Sequence, residues 1–194
     1  YSKVLTEKNP DGTLKRVGFL PNYGNSWLYL YAFQMNAKFI SPDGKTCTLA
    51  TPETTEALQF MVDGYKLLGG YDEAEKFKAT TAGGESDPFI TGRIAMKIDG
   101  DWIIKDLAKY GLNLEFDTAP APVPDDRYNQ VGRFKDEKDK FITWIGGFSL
   151  AIPKGARHRE AAWKYIKFMT SPTAYVIDFE AQRDWEQRRG RVFV

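Results

Sequence analysis

The chain has 194 residues, and its 27 Lys plus Arg stand against 26 Asp plus Glu for a formal net charge of +1. A balance that close, with no long single-sign run, argues against a protein that holds nucleic acid by counterion release. At 42% apolar and 27% charged residues the chain is too apolar to be disordered, and its 14% of aromatic residues must either fill a core or line a binding surface.

In chain order, Asn9-Pro10-Asp11-Gly12 is a turn, and Leu14 to Leu20 behind it reads as a short strand. Leu28, Tyr31, Ala32 and Met35 recur at helical spacing within the aromatic-rich run Tyr23 to Phe39, which predicts a helix entered near Asn25 or Ser26. Ser41 to Lys45 is a second turn, followed by an extended Thr46 to Leu49. Thr51 then caps a helix with Pro52 at its first position and Glu53 at the positive end of its dipole. Leu58, Met61, Val62, Tyr65 and Leu68 form its predicted apolar stripe, and Gly69-Gly70 stops it.

Ser86 to Thr91 is predicted as one short helix ending at Gly92. Ile94 to Asp99 alternates as a strand, Gly100 turns it into a helix from Asp101 to Tyr110, and Leu112 to Phe116 follows as another strand. Pro120, Pro122 and Pro124 with Asp125 and Asp126 predict an extended connection and no helix. Val131 to Lys140 reads as a charged surface loop. Phe141 to Ile152 is β-prone, broken by Gly146-Gly147. Ala161, Ala162, Tyr165, Ile166 and Met169 define an amphipathic helix, and Ser171-Pro172 starts another that runs to about Ala181. Arg183 to Val194 is Arg-rich and fits an exposed helix, a tail or a remnant equally. The alternation of strand and helix argues for an α/β fold.

One Cys and one His leave little room for side-chain chemistry. Cys47 has no intrachain partner, and no Cys/His zinc cluster can be built, so no metal or cofactor is implied. A Ser-His-Asp or Cys-His site would run through His158, which sits in a charged run that reads as the exposed start of a helix. No apolar stretch reaches the roughly 18 to 20 residues of a membrane span. The chain opens at Tyr1 without a targeting segment, which says nothing of location.

The most specific segment is Pro88 to Trp102, which reads as helix, Gly stop, strand, Gly turn and helix. In an open α/β sheet, ligands bind beyond the carboxyl ends of the strands. Trp102, in the first turn after such a strand, could lay its indole over a ligand or cover the strand as a core residue. Position alone leaves both open.

The run Phe89-Ile90-Thr91-Gly92-Arg93-Ile94-Ala95-Met96 with Gly100 and Trp102 resembles the Phe-Ile-x-Gly-Arg/Lys-x-Ala-Met-x-x-x-Gly-x-Trp pattern of family 1 extracellular solute-binding proteins. These are the maltose-binding-protein-like, sugar-type receptors of bacterial ABC importers. Further likenesses fall in the family's order: Leu14 to Leu20 with Phe39 and Pro42-Asp43-Gly44, then Thr51-Pro52-Glu53 with Ala57-Leu58. Ala119-Pro120-Ala121-Pro122 and Gly146 to Gly155 come next, with Glu160 to Phe168 as the helix after them. Asn36-Ala37 departs from the family by standing where Gly-Gly is common.

The resemblance implies a type II periplasmic-binding-protein-like lobe, a mixed sheet flanked by helices, within a two-lobed protein that holds its ligand between the lobes. It implies that residues 1–146 form most of the C-terminal lobe and residues 147–182 a hinge strand and helices returning to the other lobe. Residues 183–194 are left unassigned. The implied partners are a carbohydrate ligand and the transmembrane subunits of an ABC permease. The implied location is extracytoplasmic, with any membrane attachment through an N-terminal anchor missing from this chain.

A pyranose offers an apolar C–H face for an aromatic ring and a rim of hydroxyls for amides, carboxylates and backbone groups. The expected ligand-binding residues are Trp102, Tyr23, Trp27 and Trp144 for stacking and Asn25 and Asp101 for hydroxyls, with Asn22 and Asp99 also available. Gly146 and Gly147 would allow close backbone approach. By the resemblance, Trp102 is the family's stacking tryptophan. On pattern alone Trp27 heads an apolar helix and could be core, Trp144 could face either side of a strand, and Asp99 could cap the helix after it. Against this sugar-receptor reading stand two others: a carbohydrate-active enzyme using Asp99 and Asp101 as its carboxylate pair, and an interaction module with an exposed aromatic face.

Overall fold

The computed structural model describes residues 1–147 and 149–190, and the chain divides into two units, Tyr1–Trp144 and Ile145–Val194. In the first, a short helix α1 (Ser2–Leu5) and strand β1 (Glu7–Lys8) lead into the predicted Asn9–Gly12 turn. Gly12 takes φ 86° there, and Asp11 accepts the Thr13 N–H at 2.9 Å. Strand β2 (Leu14–Gly24) pairs antiparallel with β1 and parallel with β3 (Ile94–Ile98), so the sheet is mixed, in the order β1-β2-β3.

β2 ends at Gly24, beyond the expected Leu20, because it carries a bulge. Pro21 has no N–H to give the ladder. Phe19 faces Met96 and Gly24 faces Ile98, five steps along β2 against two along β3. Asn22 takes a left-handed φ of 83° within the bulge, a region that Asn tolerates better than most residues. Since Asn25 and Ser26 are used in closing this bulge, helix α2 (Leu28–Gln34) starts later than predicted, with Trp27 at its cap.

Helix α3 (Pro52–Leu67) begins as expected, with the Thr51 hydroxyl accepting the Thr54 N–H at 3.3 Å. Its buried face is Thr54, Ala57, Met61 and Tyr65, with Leu68 just beyond; the expected Leu58 and Val62 are exposed. Small residues explain the rotation. Gly64 lies so close to Pro21 that a Cβ there would overlap the ring, and Ala57 is fully buried, so the helix seats on its small side.

Helix α4 (Tyr71–Ala79) was not anticipated, because Gly69-Gly70 reads as a stop and the helix is mostly charged. Both glycines have positive φ and reverse the chain, so that Ala74 and Phe77 return to the core. The expected helix from Ser86 to Thr91 is instead a 3-10 turn (Gly84–Ser86) and an Asx turn in which Asp87 accepts the Phe89 N–H at 2.8 Å. That carboxylate competes with helical hydrogen bonding. Helix α5 (Ile103–Tyr110) follows β3 with Trp102 at its cap.

Among the described residues neither Leu112–Phe116 nor Phe141–Ile152 forms a strand; β-prone composition alone does not make one without cross-strand pairing. Contrary to expectation, a helix α6 (Asp125–Tyr128) starts directly after Pro124, since Pro ends an extended run as well as it begins a helix. The expected solvated loop after it carries a 3-10 turn (Gly132–Phe134) whose Phe134 is fully buried.

Two apolar clusters hold this unit. Leu14, Val17, Leu20, Tyr65, Leu68, Ala74, Phe77 and Ile94 join the sheet to the end of α3 and to α4. Leu30, Tyr31, Ala32, Met35, Ala37, Ala57 and Met61 join α2 to α3. The described residues of the second unit form two helices, α7 (Arg159–Met169) and α8 (Pro172–Gln187). Ser171 caps α8, which continues past Ala181 through Gln187 and takes in part of the unassigned C-terminal stretch. Phe148 and residues 191–194 lie outside the described residues.

Candidate functional site

The parallel pairing of β2 and β3 places the carboxyl ends of both strands side by side. Gly24 is opposite Ile98, and the Asn25 N–H donates to the Ile98 carbonyl at 2.7 Å. The two segments that leave these ends carry most of the expected site: Tyr23, Asn25 and Trp27 on one, Asp101 and Trp102 on the other.

Ser26 fastens the first segment. Its buried hydroxyl accepts the Tyr23 N–H at 2.9 Å and donates to the Tyr23 carbonyl at 2.5 Å. The bulge therefore has a defined shape, with Asn25 buried, Tyr23 half-buried and Trp27 exposed. In the second segment the Gly100 N–H donates to the Asp99 carboxylate at 2.9 Å. The Trp102 indole lies over Gly100 so closely that a Cβ there would overlap the ring. Trp102 stays 57% exposed, so of the two roles left open by its position it does not take the core one. Asp101 beside it is also exposed.

Trp144 joins the first segment by ring contact. Its indole stacks on Trp27 with centroids 5.8 Å apart and planes at 17°, and Tyr29 meets both rings edge-on at 5.2 and 5.1 Å. Because the two indoles press face to face, a sugar does not fit between them; each offers only its outer side. Tyr29 was not singled out from sequence, although its place two residues after Trp27 in an aromatic run was a signal. Gly146 and Gly147 are exposed and belong to the second unit.

Beneath the site lies a buried charge cluster of which the sequence singled out Asp99 but not the pairing. Lys97 donates to Asp87 at 2.7 Å and pairs with Asp99 at 2.6 Å, and all three side chains are at least nine-tenths buried. Burial alone would lower the lysine pKa, but the two carboxylates outweigh it and hold the ammonium above its ordinary range. Lys97 also lies 5.3 Å from the centre of the Tyr23 ring. Burial, helped by the charge of Asp87, pushes the Tyr23 phenol above its ordinary range. Asp99 thus spends its oxygens on Lys97 and Gly100 and presents none to a ligand, against the expectation that it could read hydroxyls.

The sequence profile of the bacterial extracellular solute-binding proteins matches residues 1–176. The chain belongs to that family. The maltotriose-binding protein of Pyrococcus abyssi (strain GE5 / Orsay) is 27% identical over 188 residues, covering 88% of this chain and 37% of the relative. Among solved structures, CpMnBP1 with mannobiose bound matches at a TM-score of 0.59 and 24% identity, over 88% of this chain and 40% of that one. The same protein with mannotriose bound matches at 0.57 and 24%, over 88% and 41%. The chain shares the periplasmic-binding-protein-like α/β fold of these solved structures and spans about two fifths of the length of the proteins it matches.

Proposed function

We propose that this chain is part of the substrate-binding component of a bacterial ABC importer, which takes a carbohydrate, most simply an oligosaccharide, and delivers it to a permease outside the cytoplasm. Residues 1–146 then make up most of the C-terminal lobe, residues 147–182 return toward the other lobe, and the ligand lies between the lobes. Closure around it is a hinge motion driven by the ligand's better contacts in the closed state, and no bond is made or broken.

The observation that carries the reading is the presentation of exposed indoles, Trp27 and Trp102, just past the carboxyl ends of two paired parallel strands. An indole face complements the C–H face of a pyranose, and the exposed Asp101 beside it offers a carboxylate for hydroxyls. The burial and pairing of Asp99 weigh against a carboxylate-pair hydrolase, which needs two carboxyl groups facing one bond.

Tryptophan fluorescence titrations with maltotriose, mannobiose and mannotriose test the reading. A saturable change with one of them, lost in Trp102→Ala and without release of smaller sugars, is the expected result. Product formation would establish the enzyme instead, and silence across the three would remove these saccharides as ligands.

A further inference from the structure

We propose that Lys97 is a positioning residue: by bridging Asp87 and Asp99 it ties the turn that leads into β3 to the turn that leaves it, and so holds Trp102 in place on Gly100 before any ligand arrives. The inference rests on the saccharide-binding reading for its purpose, though its geometry stands apart from it.

Each carboxylate divides its two oxygens in the same way. Asp87 gives Oδ2 to Lys97 and Oδ1 to the backbone N–H of Phe89 at 2.8 Å, which shapes the turn before the strand. Asp99 gives Oδ2 to Lys97 and Oδ1 to the backbone N–H of Gly100 at 2.9 Å, which shapes the turn after it. Gly100 is the surface on which the Trp102 indole rests. From Lys97 to Trp102 the chain of contact is therefore short: ammonium, Asp99 carboxylate, Gly100 backbone, indole.

The β2 bulge leans on the same group. Gly24 sits against Lys97 so that a Cβ would lie 3.1 Å from Lys97 Cε and 3.4 Å from Asp99 Oδ2, and Tyr23 covers the ammonium with its ring. Both segments that carry exposed site residues thus share one buried cation. With its side chain only 7% exposed, Lys97 is hidden from a ligand, which separates it from the residues that would touch one.

Removing the ammonium leaves two carboxylates buried without their shared partner, and the way for the chain to rehydrate them is to open the turns that hold them. A merely structural lysine would weaken the unit as a whole. A positioning lysine loosens the two turns first and changes binding more than folding.

The experiment compares the full chain with Lys97→Met, Asp99→Asn and Asp87→Asn by hydrogen–deuterium exchange without sugar, and by titration with maltotriose, mannobiose and mannotriose. In Lys97→Met, exchange at residues 87–92 and 99–103 is expected to rise by about tenfold or more while β2 and α3 hold their protection. Asp99→Asn should loosen residues 99–103 alone, and Asp87→Asn residues 87–92 alone. The dissociation constant for whichever saccharide binds should rise by about tenfold in Lys97→Met and Asp99→Asn.

Unchanged exchange at 99–103 in Lys97→Met, or an equal rise across the whole sheet, would overturn the proposal. If Lys97→Met does not fold, Asp99→Asn, which keeps the Lys97–Asp87 pair, decides by the same criterion. If the unaltered chain binds none of the three sugars, the saccharide reading loses its support and the exchange data still decide the role of Lys97.

Discussion

Arg127 gives the most quantitative test of how the aromatic cluster is supported. It is fully buried on α6, and its guanidinium donates from Nε to the Gln34 carbonyl at 2.6 Å, from Nη1 to the Asp139 carbonyl at 3.1 Å, and from Nη2 to the side-chain oxygen of Asn36. The amide of Asn36 in turn donates to Glu137 at 2.8 Å, so a carboxylate is joined to the buried cation through one side chain. Phe134 lies under the guanidinium, 4.5 Å from its carbon. Arg127→Met keeps much of the volume and removes every one of these donors. Each orphaned acceptor costs about 1–3 kcal/mol and the lost cation–π contact about 0.5–2 kcal/mol, offset by no longer having to bury a charge. The net loss expected is about 3–5 kcal/mol, the lower part of that sum because the charge itself no longer has to be kept out of water. Urea unfolding followed by tryptophan emission measures it, with the slope unchanged. The thermal midpoint should drop by about 6–20 °C, at about 2–4 °C per kcal/mol for a chain of this size. The near-ultraviolet signal of the Trp27–Trp144 stack should weaken as well, because Arg127 and Gln34 anchor the backbone just before Trp144 at Asp139 and Ile142. A loss below about 1 kcal/mol with an intact aromatic signal would refute the reasoning, since it would mean that the acceptors find water as soon as the donor leaves.

Two further predictions follow from single side chains. Asn36 sits at φ 67°, so Asn36→Gly should cost less than Asn36→Ala by about 1 kcal/mol, although both lose the bonds to Arg127 and Glu137; equal urea midpoints would contradict it. The phenol of Tyr31 is pushed by burial above its ordinary value of 10.0, so the folded state holds that proton more tightly than the unfolded chain does. The stability this represents is complete below pH 10 and is lost as pH rises through the higher folded value; Tyr31→Phe should flatten the alkaline fall in urea midpoint, and an identical fall in both proteins would count against it.

What could be read from the sequence follows the range of the interactions involved. The Asn9–Gly12 turn, the Thr51 and Ser171 caps and the strand from Ile94 were legible because their determinants lie within a few residues. The rotation of α3 was not, because it depends on Gly64 meeting Pro21 across the fold, and hydropathy scores a glycine as nothing. Asn36 shows the same limit from the other side. Standing where the resemblance leads one to expect Gly-Gly, it keeps the left-handed backbone that glycine would supply and adds an amide that bridges Arg127 to Glu137.

At the site the division is similar. The place of Trp102 at the carboxyl end of a strand was legible from the strand and the glycine before it, whereas its exposure was not, since position alone suited a core residue equally. Nor was its support: Asp87 and Asp99 are twelve residues apart and meet only because β3 runs between them, carrying Lys97. The strand therefore does two things at once. Its carboxyl end aims the indole outward, and its buried lysine holds the turns at both ends, so the exposed aromatic surface is held rigid from below. On the proposed saccharide-binding reading that rigidity matters, because side chains already in place need not be ordered at the moment of binding, and the contacts they make are kept as affinity.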